Sequence, residues 1–207
     1  GAIPMLAEWI DPRRAYPTTR VLPGGRLHNS YRGQLDDVGR PLQPGLIRVG
    51  DSVCTTTPLA GRGVTLAFRQ SQALIALLSR DSDTDAVTAD FDAWCRAHIR
   101  PWFLDHVHCD GERLRRWAGG GVDLGSPLPS DLVVAAAAAD ATMRPHVIPY
   151  DRMAALPASL DPLQERATAV YATGWRPPVA AGPDRHELAA LCQDLSTRTG
   201  SPLAPVS

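Results

Sequence analysis

Residues that could bind a ligand occur in residues 45–78, GLIRVGDSVCTTTPLAGRGVTLAFRQSQALIALL. The carboxylate of Asp51 comes ten residues before Gly61, the first of two glycines in a Gly-x-Gly pair. The apolar run 45–50 predicts a buried strand, so Asp51 would lie at the C-terminal edge of a sheet, where open α/β sheets bind ligands. Gly61 and Gly63 let backbone approach a flat or anionic ligand, and the helix predicted over 63–79 offers its positive end to an anion. A carboxylate for polyol hydroxyls beside an anion-accepting helix start favours a nucleotide-type cofactor. On its own, however, a G-x-G pair is more typical of a plain strand–loop–helix crossover.

The complete string carries more information than its glycines. GLIRVGDSVCTTTPLAGRGVTLAFRQSQAL resembles the second FAD-binding motif of flavoprotein monooxygenases of the aromatic-hydroxylase type, in which Gly-Asp is followed by proline, Gly-x-Gly and a long helix. The resemblance implies that the aspartate binds the ribityl chain of FAD, and that the proline and Gly-x-Gly backbone lie against the pyrophosphate and the pyrimidine edge. The cofactor-binding residues implied in this way are Gly50, Asp51, Pro58, Gly61, Arg62, Gly63 and Val64.

The sequence also departs from the family pattern. Cys54 stands where many relatives have histidine or a small residue, and Thr65 where some have asparagine. The strand–G-x-G-x-x-G–helix unit that binds the ADP half of FAD is missing from the 207 residues. Weaker resemblances extend to TRVLPGGRLHNSYRG, like strands returning from a substrate domain, and to GPDRHELAAL, like the tail of actinobacterial FAD-dependent oxidoreductases. The chain is therefore interpreted as the C-terminal portion of such an enzyme.

The expected fold class is an α+β fragment that is mainly helical. It would be the C-terminal part of an FAD-binding α/β domain, Rossmann-like and of the glutathione-reductase type, with a helical C-terminal extension. Three regions are predicted: 1–44 as the end of a substrate domain, 45–80 as the FAD motif, and 81–207 as a helical region with a short tail. Further predictions are a short helix at 3–10, a hairpin around Pro23-Gly24-Gly25, a helix broken near Arg100 by Pro101, and helices at 134–142, 150–158, 161–173 and in RHELAALCQDL.

The composition argues against two classes of protein, nucleic-acid binders and membrane-spanning proteins. The net charge of -1 and 44% apolar residues give no basic footprint for nucleic acid and enough apolar residues for a sizeable core. The four cysteines form no C-x-x-C pair and no apolar run is long enough to span a membrane, so a cytoplasmic protein with free thiols is expected. Candidate metal ligands cluster at His98, His106, His108, Cys109 and Asp110. The two-residue spacing of His106 and His108 points them to different helix faces, which favours no metal site.

The predicted function is that of an FAD-dependent oxidoreductase. The resemblance implies a monooxygenase that uses NAD(P)H and O2 on a small organic substrate; a flavin-dependent reductase, dehydrogenase or halogenase is the alternative. The second hypothesis, from another class, is a non-catalytic helical module or truncated product that retains the motif. Expected partners are FAD, a small-molecule substrate, and either a missing N-terminal half or a second copy of the chain. Catalytic residues are not identified, and the chain alone is predicted to be inactive.

Overall fold

The computed structural model describes residues 3–16, 18–19, 28–178 and 182–199. The chain divides into two compact units, one made of Gly1–Pro23 with Pro177–Ser207 and the other of Gly24–Arg176. The hairpin predicted around Pro23-Gly24-Gly25 lies outside the described residues. The predicted division into 1–44, 45–80 and 81–207 stays a prediction.

The described residues of the first unit include helices α1 (Pro4–Ala7) and α8 (Arg185–Thr199). The short helix predicted at 3–10 is a single helical turn followed by non-helical turns. The last helix is confirmed, and its start has a local cause. The N–H of Glu187 donates to Asp184 Oδ1 at 2.8 Å, and the N–H of Asp184 donates to Glu187 Oε2 at 2.8 Å. This reciprocal capping satisfies donors that a helix start leaves unpaired.

The second unit is mainly helical, which confirms the coarse fold prediction. Its two short strands, β1 (Ser30–Tyr31) and β2 (Cys54–Thr55), pair antiparallel with Ser30 opposite Thr55. Its helices are α2 (Gly63–Leu78), α3 (Thr84–His98), α4 (Arg100–Trp117), α5 (Ser130–Ala136), α6 (Arg144–Asp151) and α7 (Gln164–Ala172). Short 3-10 segments occur at Gly50–Ser52, Pro58–Ala60, Ala141–Met143 and Pro157–Leu163. No helix in these described parts is both long and apolar enough to cross a membrane.

The strand predicted at 45–50 is wrong. Residues 46–49 form no ladder, although Val49 is extended with φ -139° and ψ 164°. The Gln34 side chain takes the place of a neighbouring strand: its Nε2 donates to the Arg48 carbonyl at 2.7 Å, and its Oε1 accepts the Arg48 N–H at 2.9 Å. Because a strand needs a partner backbone, this apolar run stays an irregular segment in which Leu46 is exposed and Ile47 is half-buried against the core.

The helix boundaries near the motif are confirmed. Residues Gly63–Leu78 form the helix predicted for 63–79, and the helix break falls at Ile99, between α3 and α4. Pro101 occupies the first turn of α4, where its missing N–H costs nothing.

Of the three helices predicted farther along the chain, one is shifted, one is wrong and one is confirmed with a later start. The helix expected at 134–142 is α5, which ends at Ala136; beyond it, Asp140 caps a separate 3-10 turn by accepting the Thr142 N–H. The helix expected at 150–158 is wrong, because α6 ends at Asp151 and Met153 adopts a left-handed φ of 57°. In the stretch 161–173, an α-helix begins only at Gln164, after a 3-10 segment.

The core lies between α3, α4 and the later helices of the second unit. Helical spacing predicts an apolar stripe that includes Phe91, Cys95, Ile99 and Trp102, and these four side chains are fully buried.

Helical spacing predicts an apolar stripe on α2 formed by Val64, Ala67, Phe68, Ser71, Leu74, Ile75 and Leu78. Its large side chains Val64, Phe68, Ile75 and Leu78 are instead exposed, with Phe68 at 72% of its surface. Leu74 is partly buried, next to the face through which α2 packs on α3; that face carries buried Leu66 and Gln70 with partly buried Ala73 and Leu77.

Candidate functional site

The motif residues surround one groove in the second unit. The groove encloses about 430 Å³, and its lining includes both the loop before α2 and the first turns of that helix. Its lining residues are Asp51, Thr56, Thr57, Pro58, Gly61, Gly63, Val64 and Ala67. Five of the seven residues predicted to bind the cofactor are therefore brought together, and Gly50 and Arg62 lie outside the lining.

Asp51 occupies a different local structure from the predicted strand end. It lies in the 3-10 turn Gly50–Ser52, and its side chain is exposed. Gly50 begins this turn with a φ of +63°, a conformation that favours glycine. The Gly50 N–H donates to Oε1 of the buried Gln70 at 2.9 Å. Helix α2 thus fixes the backbone that carries Asp51.

The Gly-Arg-Gly turn presents backbone to the groove. Gly61 adopts a left-handed conformation, φ 65° and ψ 21°, and its N–H donates to the Pro58 carbonyl at 3.0 Å. A Cβ built on Gly61 or Gly63 would meet no heavy atom within 4 Å among the described residues, so both glycines border open space. No side chain there caps the start of α2. The first N–H groups of the helix are consequently suited to an anionic ligand.

The beginning of the loop is held by side chains from other elements. The N–H of Thr57 donates to Asn29 Oδ1 at 2.8 Å, and the Thr57 hydroxyl donates to Asp110 Oδ2 at 2.7 Å. Asn29 Nδ2 also donates to Asp110 Oδ2 at 2.8 Å. Asp110 lies on α4 and pairs through Oδ1 with Arg113 at 2.5 Å. Burial acts to raise the pKa of Asp110, but the bonds from Asn29, Thr57 and Arg113 outweigh it and lower that pKa below its usual value.

The end of the loop is held by a buried ion pair. Arg62 Nη1 lies 3.0 Å from Asp105 Oδ2 on α4, and the two side chains are only 13% and 5% exposed. The guanidinium carbon lies 4.8 Å from the Trp102 ring centroid and 4.6 Å from that of Tyr150. Asp105 also accepts hydrogen bonds from the Tyr150 hydroxyl, at 2.7 Å, and from Ser130. Arg62 is therefore committed to Asp105 rather than free to bind a ligand in the groove.

Burial and the neighbouring groups shift the pKa values of Arg62 and Tyr150. Burial acts to lower the pKa of Arg62, yet Tyr150 and Asp105 raise it overall. Burial, followed by the Asp105 charge, raises the pKa of Tyr150 well above its usual value. Arg62 thus remains a guanidinium cation and Tyr150 a neutral phenol.

A second cavity of about 210 Å³ lies on the other side of the same turn. It is lined by Leu59, Ala60, Arg62, Asp105, His106, Cys109, Asp110, Arg113, Asp131, Val134, Tyr150 and Asp151. Residues alternate between the two cavities along the turn: Pro58, Gly61 and Gly63 face the groove, while Leu59, Ala60 and Arg62 line the second cavity.

The residues considered for metal binding do not converge. His106 is buried, with Nδ1 3.0 Å from the Trp102 carbonyl, whereas His108 is exposed. This confirms that the two histidines occupy different helix faces. Within the described residues, no group of three or more His, Cys, Asp or Glu side chains could hold a metal ion.

The cysteines near the groove are buried and weakly acidic. Burial raises the pKa of Cys54 to about 11, with a further contribution from Asp51, and raises that of Cys109 to about 11. A thiol with such a pKa is a poor nucleophile at neutral pH. Cys54 thus packs as a small core residue, in agreement with its interpretation from the sequence.

Sequence reasoning missed the side chains that hold the motif in place, namely Asn29, Gln70, Asp105, Ser130 and Tyr150, and it considered Asp110 only as a metal ligand. Asp105 and Asp110 flank HVHC on one helix, and this placement was the sequence signal that could have identified them as partners of the loop. Gln70 lies four residues after Leu66 on the same face of α2, so its burial could have been predicted if that face had been known to pack against the core. The contacts of Ser130 and Tyr150 with Asp105 have no sequence signal.

No protein-family model matches the chain, and no curated protein or solved structure matches it significantly.

Proposed function

We propose that this chain supplies part of the FAD site of an FAD-dependent oxidoreductase. The observation that carries the proposal is the convergence of Asp51, Pro58, Gly61, Gly63 and Val64 on one groove at the start of α2. The open space beside both glycines fits a ligand that packs directly on backbone.

In this proposal each groove residue has a binding role. Asp51 accepts hydrogen bonds from the ribityl hydroxyls, since it is exposed at the groove and ionised carboxylates are strong acceptors. The N–H groups at the start of α2 bind the pyrophosphate, which is favoured by the helix dipole. Pro58 and the backbone of Gly61, Arg62, Gly63 and Val64 border the flavin edge. Gly50 acts through its left-handed turn, which carries Asp51 to the groove.

Bound FAD supplies the redox chemistry, and the chain supplies orientation and the exclusion of water. We propose a monooxygenase that uses NAD(P)H and O2 on a small organic substrate, with a flavin-dependent reductase, dehydrogenase or halogenase as the nearest alternative. The four cysteines are free thiols, which supports a cytoplasmic location.

The proposal requires a second source of contacts for the adenosine half of FAD. Such contacts ordinarily come from a G-x-G-x-x-G turn, and the 207 residues contain none. We propose that a segment outside these residues, or a second chain, provides that turn and completes the Rossmann-like domain. The 207 residues alone should accordingly bind FAD weakly and oxidise no NADPH.

A non-catalytic helical module is the second candidate. The specific observation in its favour is that Asp51 lies in a 3-10 turn and that residues 46–49 join no sheet. Such a module would retain the groove without binding a flavin.

The two candidates are separated by the cofactor content of the protein expressed from its complete coding sequence. After gel filtration, the oxidoreductase proposal predicts visible flavin absorbance that co-elutes with the protein and bleaches on addition of NADPH. A colourless protein that also fails to bind added FAD would refute the proposal and favour the helical module.

A further inference from the structure

We propose that Asp110 is a positioning residue for the cofactor loop: from α4 it fixes Thr57, and through Thr57 the path of Pro58 and the Gly-Arg-Gly turn along the groove. This inference rests on the proposed function, because it concerns the same groove. Asp110 itself does not line that groove; it borders the cavity on the opposite side of the turn.

The hydrogen bonds make Thr57 the fixed point of the loop. Both of its donors are used, the N–H by Asn29 and the hydroxyl by Asp110, at 2.8 and 2.7 Å. Asn29 is itself held by Asp110 Oδ2. The three residues thus form a closed triangle that joins the second residue after β2, the residue before β1 and the middle of α4.

Fixing Thr57 also fixes the next residues. Thr57 has φ -60° and ψ 144°, an extended conformation that suits a residue before proline. Pro58 then starts the 3-10 turn that ends at Gly61, and Gly63 begins α2 two residues later. At the far end of the loop, the Arg62–Asp105 pair returns to the same helix. One helix therefore holds both ends of a short loop whose backbone borders the groove.

A loop fixed before binding loses less conformational freedom when a ligand binds, which increases affinity. Without the carboxylate of Asp110, the Thr57 hydroxyl and the Asn29 amide would lose a shared acceptor. The loop would then sample conformations in which its N–H groups no longer converge, and the ligand would have to order it.

Asp110→Asn is the appropriate substitution. Oδ2 accepts from Asn29 and Thr57, while Oδ1 accepts from Arg113. In one orientation the Asn amide turns its NH2 group against the Asn29 and Thr57 donors; in the other it offers them a neutral oxygen and turns the NH2 group against Arg113. Either way the charge-assisted bonds to Asn29 and Thr57 are lost, with almost no change in volume.

The experiment is a titration of FAD into the apoprotein made from the complete coding sequence, at a temperature where far-UV circular dichroism shows every variant folded. Asp110→Asn should weaken the Kd by about tenfold, the change expected for loss of one charge-assisted hydrogen bond. It should also alter the visible circular dichroism of the bound flavin. Tyr171→Phe is the matched control, because it removes a buried 2.9 Å hydrogen bond to the Leu132 carbonyl away from the loop. It should lower stability and leave the Kd unchanged.

A second pair of variants keeps the test decisive if Asp110→Asn fails to fold. Thr57→Val removes the hydroxyl and should weaken the Kd, whereas Thr57→Ser keeps the bond to Asp110 and should weaken the Kd less than Thr57→Val does. Where Asp110→Asn folds, combining it with Thr57→Val should weaken binding by less than the product of the two single effects.

The outcomes separate the inference from the proposed function. If the parent protein binds FAD and both Asp110→Asn and Thr57→Val bind it equally well, the positioning role of Asp110 is refuted while the flavin proposal survives. If Tyr171→Phe weakens the Kd as much as Asp110→Asn does, the effect is one of general stability and the inference is again refuted. If the parent protein binds no FAD, the proposed function fails and the inference fails with it.

Discussion

Helices α2 and α3 have the same kind of sequence pattern and opposite surroundings. On α3 the apolar stripe is buried, with Phe91 and Cys95 at 0% exposure. On α2 the equivalent stripe is exposed, with Phe68 at 72% and Ile75 at 64%. A period of 3.6 residues shows that one face of a helix is apolar, but it does not show which element covers that face. In the described residues, α3 packs through its predicted face and α2 through another.

The largest effect that tests this comparison is expected for Phe91→Ala. Removing a fully buried aromatic ring leaves a cavity and should lower the free energy of unfolding by about 3–5 kcal/mol. Phe68→Ala is the matched control and should change it by less than about 0.5 kcal/mol. Urea unfolding followed by circular dichroism measures both. Equal losses for the two variants would mean that the exposed face of α2 is covered in solution, and the contrast between the helices would disappear.

A somewhat smaller loss is expected for Arg62→Ala. The substitution leaves the Asp105 carboxylate buried without its cation, and breaking such a pair costs about 3–5 kcal/mol. Because Tyr150 and Ser130 still donate to Asp105, the loss should fall near the lower end of this range. Arg115→Ala, which removes a half-exposed pair with Glu112 within one helix, should hardly move the urea midpoint. A negligible effect of Arg62→Ala would show that the loop does not depend on α4.

A third prediction concerns pH. The pKa of Asp110 in the folded protein is below its unfolded value of about 3.8, since the bonds from Asn29, Thr57 and Arg113 outweigh the opposing effect of burial. The stability that Asp110 contributes is therefore present above about pH 4 and is lost as the pH falls through the folded pKa. The urea midpoint should decrease more between about pH 5 and pH 3 in the parent protein than in Asp110→Asn. Identical pH profiles would contradict the assignment.

The sequence predicts what is local in the molecule. The limits of α2 and the break at Pro101 follow from apolar spacing and from a missing N–H, so both are confirmed. The groove residues could also be predicted from the sequence, because they are close together in the chain. The absence of a strand at 45–50 could not be predicted, because a strand depends on a partner strand, and here a Gln34 side chain takes the partner's place. The Arg62–Asp105 pair joins residues 43 positions apart, and neither helix nor strand periodicity predicts a contact between residues so far apart in the sequence.

The central claim, that the groove at the start of α2 binds FAD, is tested most directly by FAD titration of the complete protein and two variants. Gly63→Val adds a side chain into open space, so it should leave the unfolding midpoint nearly unchanged and block the groove. Asp51→Ala removes an exposed carboxylate and should weaken the Kd by about ten- to a hundredfold, as expected for a lost hydrogen bond to a charged group. Asp37→Ala, an exposed aspartate that does not line the groove, is the control and should bind like the parent. Tight FAD binding by the parent that both groove variants lose is the predicted result; unchanged binding by both folded variants would contradict the account.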